Sequence, residues 1–312
     1  MLKINLQTAY DDFDLYSLTL GQTLPSIYTE AFGLIQACEL YLPKRAMSSN
    51  GISFLEVLAG ANSTHAAFVK QIADRFWFNI NAMLSLDSAS TTSEDIFQAD
   101  VRTFNLDRTV DVIAGFYYAL GAIHPPGREH ALTALKNIRK HLTPGGFFFT
   151  TFLENAYNMI VVDQEGGSFN SDESTRVYDI PPYMTAWRKR LGIPFNKDPL
   201  ELVGTIKETY TRSTGLVAYH YHNFRIQSRY ATTVYARFNI RQPIYIRYYA
   251  ESEIADLARE AGFKSHNIHF LDMDEDGITE LDNVLDYSRP DPPEDTPSNA
   301  VVMIKTMERF DK

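Results

Sequence analysis

Residues 54–65 read FLEVLAGANSTH. An apolar, strand-forming run ends around Glu56, a turn carries Gly60 as its only glycine, and Ser63-Thr64 offers a helix-starting hydroxyl pair. Loops that press phosphates against backbone amides usually hold two or three glycines. Read alone, the stretch is either a ligand loop with most glycines replaced or an ordinary strand-to-helix connection. What stands at the following strand ends decides between them.

Working outward, ISFLEVLA (52–59) reads as a strand and THAAFVKQIADRF (64–76) as a helix. NAMLSLD (81–87), IFQADV (96–101) and VDVIAGFYYAL (110–120) are further strands. REHALTALKNIRKHL (128–142) is a helix stopped at Thr143-Pro144-Gly145-Gly146, and FFFTTFL (147–153) is the next strand. This alternation predicts a parallel sheet covered on both faces. Ligands of such sheets bind outside the carboxyl ends of the strands, near the point where the strand order reverses. At those ends stand Glu56 and Gly60, then Asp87, then Asp100, with LTPGG leading into the fifth strand. An acid at the tip of the second strand suits ribose hydroxyls, and one after the third suits an adenine amine. The first loop must tolerate positive φ for close backbone approach.

The pattern changes on either side. Residues 8–47 look helical, with Pro25 as a start and Pro43 as a stop. Residues 205–210, 216–226 and 230–240 read as three consecutive strands with short connections, an antiparallel meander. On the second, strict alternation puts His220 and His222 on one face with Ala218 and Phe224, and Tyr219 and Tyr221 on the other. The pair is read either as base candidates facing a cleft or as part of a solvated face. ESEIADLAREAGF (251–263) restores a helix, and two closing strands follow around a proline- and acid-rich loop at 285–299.

With these features in order, the chain resembles the class I S-adenosylmethionine-dependent methyltransferases. Against their acid-x-Gly-x-Gly-x-Gly motif, Glu56 holds the acid position, Leu58 replaces the first glycine, Gly60 keeps the second and Asn62 replaces the third. Asn tolerates the left-handed region better than most residues. Asp87 matches the family's ribose acid and Asp100 its adenine-contacting acid, while LTPGG and AREAGF match the leads into the fifth and sixth strands. The resemblance spans about 52–153 and 246–310. It implies an α/β, Rossmann-like doubly wound, mostly parallel seven-stranded sheet with an inserted antiparallel sheet and an N-terminal helical lid. The expected division is 1–50 for the lid, 51–153 and 246–312 for the core, and 154–245 for the inserted cap.

The resemblance further implies S-adenosyl-L-methionine as methyl donor, S-adenosyl-L-homocysteine as product and a small-molecule acceptor, with nitrogen favoured slightly over oxygen or carbon. Tyr16, Glu56, Gly60, Asn62, Asp87, Asp100 and Phe116 are its donor-binding candidates. Tyr10, Tyr117, Tyr118 and Asn155 are acceptor-binding candidates, and His220, His222, His124 and Glu154 are catalytic ones. Structural readings stand beside these: Tyr117 and Tyr118 as packing, His124 as a turn cap, Tyr10 and Tyr16 on a plain amphipathic helix. A homodimer through the inserted sheet is a further analogy. Two other classes remain open, a sensor that binds the donor without turnover and an NAD(P)-dependent oxidoreductase, which wants more glycines.

Composition narrows the field. The net charge of −10 lacks the basic footprint of nonspecific nucleic-acid binding. One cysteine, Cys38, excludes an internal disulfide, and with no signal-peptide pattern a cytoplasmic setting is expected. No apolar run approaches the ~18–20 residues of a membrane span. Two motifs are weaker. Asp179-Ile180-Pro181-Pro182-Tyr183 resembles Asp-Pro-Pro-Tyr of amino-methylating nucleic-acid enzymes, but carries an extra isoleucine. Asp272, Asp274, Asp276 and Gly277 have calcium-loop spacing, but Asn283 replaces the closing glutamate, so no metal is expected.

Overall fold

Phe147, Phe148 and Phe149 are all completely buried, which consecutive residues of a strand achieve only when both faces of its sheet are covered. The computed structural model describes residues 1–19, 24–46, 48–59, 64–88, 96–152, 168–170, 174–181, 185–194, 199–211, 214–274, 277–280 and 299–306. The chain begins with strand β1 (Leu2–Leu6), a 3-10 turn (Ala9–Asp11), α1 (Phe13–Thr19), α2 (Leu24–Tyr41) and the short α3 (Pro43–Ala46). Next come β2 (Ile52–Val57), α4 (Thr64–Arg75), β3 (Ile80–Asp87), β4 (Ile96–Gln98), β5 (Val110–Gly115), α5 (Arg128–His141) and β6 (Leu142–Phe152). β7 (Ser168–Asn170), β8 (Ser174–Asp179), α6 (Thr185–Leu191), β9 (Leu200–Thr211), β10 (Leu216–Ser228), β11 (Val234–Ile240) and β12 (Ile244–Arg247) follow. The last elements are α7 (Glu251–Glu260), β13 (Ile268–Asp274), β14 (Gly277–Glu280) and β15 (Asn299–Ile304).

The chain divides into two compact units, Leu24–Asp163 with Arg247–Lys312, and Met1–Thr23 with Gln164–Ile246. In the first, the described residues form a sheet in the order β14-β13-β15-β6-β5-β2-β3-β4. β4, β3, β2, β5 and β6 are parallel, and β15, β13 and β14 add antiparallel pairings. The expected seven strands are present, extended at one edge by β14. Strand order reverses between β2 and β5, so the carboxyl ends of β2, β3 and β5 lie together at the switch point.

Alternation divides the core in two. Leu55, Ile113 and Phe148 face Leu135 and Ile138 of α5 and Ile254 and Leu257 of α7. Phe54, Val112, Phe147 and Phe149 face Leu34, Ile35 and Cys38 of α2 and Val69 and Ile72 of α4. Here the sequence-based division needs correcting. Residues 24–46 belong with the parallel sheet rather than with a lid spanning 1–50, because α2 buries an apolar face on that sheet. The first residues are also not all helical, since β1 pairs in parallel with β11.

The second unit is the expected meander, β10 antiparallel to both β9 and β11, with β7 and β8 added to β9. One face is buried. Tyr221 bonds Thr19 Oγ1 at 3.1 Å, and Trp187 packs on Phe238 and donates its indole N–H to Asp12 at 3.0 Å. Phe224 departs from the expected face. Pairing shifts between His222 and Arg225, and Asn223 adopts φ 57°, so this bulge moves Phe224 to the side of Tyr221. Their rings lie 5.4 Å apart, and Phe224 rests on Gly204, where a Cβ would lie 2.4 Å from the ring. Strict period-two reading fails at such a bulge because one extra residue inverts every later side chain.

Candidate active site

Just past β2 the backbone is glycine-like at a residue that is not glycine. Leu58 has φ 57°, a left-handed conformation that costs an ordinary L-residue roughly 1–2 kcal/mol. Its side chain compensates by packing against the core beneath α5 and α7. The turn is fastened sideways, since Ala59 N–H donates to Leu86 O at 3.1 Å, one residue before Asp87. Gly60 and Asn62, the other motif positions, lie outside the described residues.

Glu56 is buried at 1% exposure, and its carboxylate is engaged from within the fold. Ser85 Oγ donates to it at 3.0 Å, and the Ala66 N–H in the first turn of α4 also bonds it. Burial pushes its pKa from 4.5 to about 7, against the lowering influence of His65 and of these hydrogen bonds. An acid at this position therefore satisfies an orphan amide of a helix N-terminus and fixes the angle at which α4 leaves the turn.

Asp87 closes β3 and is 9% exposed, and its backbone oxygen accepts from Ala99 N–H at 2.9 Å. Asp100, two residues beyond β4, is gripped by Arg102. The guanidinium Nε reaches both carboxylate oxygens, at 2.9 and 3.0 Å, the Arg102 N–H donates at 2.8 Å, and Nη2 completes the pair. Arg102 holds this carboxyl below its ordinary range. Arg102 Nη1 also donates to His130 Nδ1 at 3.0 Å, which anchors the pair to α5.

Beyond β5 the chain is again left-handed, with Tyr117 at φ 52° and Tyr118 at φ 59°. Two consecutive non-glycine residues in this region are uncommon, and such strain concentrates at functional sites. Tyr117 is buried and Tyr118 half-buried, their rings 4.8 Å apart, with Tyr248 at 6.0 Å from Tyr118. The Phe116 ring stacks on His65 at 4.6 Å and meets Phe149 at 6.0 Å, so it packs between α4 and β6.

The structure thus brings Glu56, Asp87, Asp100, Phe116, Tyr117 and Tyr118 to one edge of the parallel sheet. His124 belongs to the same unit, exposed on the loop toward α5. Glu154 and Asn155 lie outside the described residues. Tyr16, half-buried on α1, and His220 and His222 on β10 belong to the other unit, as does the backbone of Tyr10 in the 3-10 turn. His220 and His222 are stacked, ring centroids 6.4 Å apart, opposite Lys207 and Thr205. Desolvation first, then His222 and Lys207, lowers the His220 pKa, which leaves its imidazole neutral at pH 7.

Sequence reasoning missed the group beneath this edge. Glu30 of α2 is wholly buried and joins His65, Tyr117 and Thr151. An acid within the apolar stretch of α2 was its one sequence signal. The two weaker motifs have plain structural places: Asp179 ends β8 and pairs with Arg229 at 3.1 Å, and Asp272 and Asp274 belong to the β13–β14 hairpin. Among the described residues, no helix is long and apolar enough to cross a membrane.

No protein-family model matches the chain, and no curated protein matches it by sequence. Among solved structures it is similar to DesVI of Streptomyces venezuelae, at 15% identity and a TM-score of 0.54 over 95% of this chain and 98% of that one. The CcbJ methyltransferase from Streptomyces caelestis gives 12% identity and a TM-score of 0.51, covering 96% and 99%. CalS10 from Micromonospora echinaspora, an amino pentose methyltransferase with S-adenosylmethionine bound, gives 13% and 0.50, covering 87% and 91%. The chain therefore shares the Rossmann-like fold of these solved methyltransferase structures, a mostly parallel sheet accompanied by an antiparallel one.

Two substitutions probe the edge. Leu58→Ile keeps the apolar volume but puts a β-branch at a left-handed residue, and is expected to cost about 1 kcal/mol in urea denaturation beyond the strain Leu58 already carries. Undiminished stability would mean that the left-handed turn is not enforced. The second concerns Glu56, whose folded pKa lies above its unfolded one. The stabilisation by its protonated form is complete below pH 4.5 and lost as pH rises through about 7. Glu56→Gln should therefore gain on the native chain by roughly 2–4 kcal/mol between pH 4.5 and 8, and parallel stability curves would remove Glu56 as the titrating group.

Proposed function

We propose that the protein is an S-adenosylmethionine-dependent methyltransferase acting on a small molecule, with an amine as the favoured acceptor. The observation carrying this reading is the left-handed turn at Leu58 fastened beside Asp87, at the switch point of the sheet. The donor set fits the proposed ligand. Asp87 and Asp100 are acceptors suited to ribose hydroxyls and an adenine amine, and neither would welcome a phosphate. The bound donor would supply an electrophilic methyl group on a sulfonium.

What remains for the chain is to align an acceptor, exclude water and, for an amine, take up the proton lost on transfer. Tyr117 and Tyr118 at the end of β5 are the acceptor-side candidates, and Phe116 beside them contributes apolar enclosure. His220, neutral at pH 7, and His222 are proposed as proton acceptors. The amine preference rests on fold-level analogy with the amino pentose enzyme. A homodimer through the inserted sheet rests on the sequence resemblance alone. A cytoplasmic setting rests on the single cysteine.

Calorimetry with S-adenosylhomocysteine, with NADH as the contrasting ligand, tests the reading. S-adenosylhomocysteine should bind, and Asp87→Ala should weaken it by about 1–3 kcal/mol, the loss of a hydrogen bond to a buried partner. Binding of NADH alone would assign an oxidoreductase instead. Once an amine acceptor is identified, His220→Ala and His222→Ala should lower turnover and leave S-adenosylhomocysteine affinity intact. Full turnover in both would make the pair structural.

A further inference from the structure

Glu30 belongs to no motif, yet hydrogen bonds from three separate elements converge on it beneath the sheet edge. Its Oε1 accepts from Tyr117 N–H at 2.9 Å and from Thr151 Oγ1 at 2.5 Å. Its Oε2 accepts from His65 Nε2 at 2.8 Å. One carboxylate on α2 thus reaches the left-handed segment after β5, the carboxyl end of β6 and the first turn of α4. His65 carries the connection onward, its Nδ1 lying 4.0 Å from Glu56 while its ring stacks on Phe116.

Nothing about core packing requires this. An apolar residue at position 30 would fill the space between α2 and the sheet equally well, but would leave Tyr117 N–H, Thr151 Oγ1 and His65 without their common buried acceptor. The geometry instead gives the carboxylate a task at Tyr117. That amide belongs to a left-handed residue, and a bond from a buried, fixed acceptor holds it there against relaxation. The other oxygen sets α4, and hence the helix that follows the turn at Leu58. The two rims are tied to a single side chain.

We infer that Glu30 is a positioning residue, which sets the segment Phe116–Tyr118 against the first turn of α4 through the reach of its two carboxylate oxygens. This deepens the methyltransferase reading and rests on it for the meaning of the two rims, the acceptor side at Tyr117 and the donor side at α4. Glu30 itself touches neither ligand in this assignment.

Two conservative variants separate reach from charge. Glu30→Gln keeps the reach and an oxygen for Tyr117 and Thr151, and places its amide nitrogen beside His65 Nε2. Glu30→Asp keeps the charge but is one methylene short. Amide hydrogen exchange of peptides spanning 115–121 and 110–114, with S-adenosylhomocysteine calorimetry, is the measurement. Glu30→Gln should match the native chain in both. Glu30→Asp should speed exchange at 116–118 and weaken S-adenosylhomocysteine by about ten-fold each, as for one lost hydrogen bond, with 110–114 unchanged. The inference is overturned by native exchange at 116–118 in Glu30→Asp, by uniform loss across both peptides, by loss in Glu30→Gln, or by faster local exchange with undiminished affinity. If the native chain binds no S-adenosylhomocysteine, the methyltransferase reading falls, and the exchange pattern alone still decides the positioning role.

Discussion

Removing a carboxylate from water costs several kcal/mol unless donors replace the lost hydration. The parallel-sheet unit accepts that cost twice, at Glu30 and Glu56, with the imidazole of His65 between them. The donors that make it tolerable come from α4, β3, β6 and the segment after β5, so satisfying the two acids also fixes those four elements relative to one another. Shape at the sheet edge is set by polar accounting within an apolar core. The Phe116 ring stacks on His65 beside them.

Conformational strain stands above this polar layer. Leu58, Tyr117 and Tyr118 all occupy the left-handed region, and each lies just past the end of a parallel strand flanking the switch point. Glycine would reach the same conformations freely but would hold none of them. Side chains that anchor in the core, as Leu58 does, exchange local strain for definition. A turn built in this way holds a left-handed backbone at positions that carry no glycine.

The parallel sheet was legible because its strands are buried on both faces and its helices carry regular apolar spacing. Runs such as FFFTTF admit few other readings. The acids at the strand ends were legible for their order, since topology converts sequence order into spatial adjacency. Other features left weaker traces. The bulge at Asn223 inverted Phe224, and nothing in an alternating pattern announces where one extra residue is inserted. β1 escaped notice because an edge strand of five residues, half exposed, has too little periodicity to stand out. Glu30 was passed over because its partners are 35, 87 and 121 residues away, and a helix sequence says nothing about contacts at such separation. Nor can apolar spacing distinguish a helix that covers a sheet from one that closes a lid, so the sequence alone groups α2 with the N-terminus.

The parallel pairing of β1 with β11 bears on how the chain is made. Leu2 lies opposite Ala236, so during synthesis β1 waits for almost the whole meander before its partner exists. At ordinary rates of synthesis that interval is on the order of ten seconds or more. During it, an apolar strand with open hydrogen-bonding edges is at large while the parallel sheet assembles between its two ends. Lys3, exposed in the finished fold, is the kind of charge that discourages wrong pairing of such a strand, and the second sheet is complete only when β1 has been taken back in.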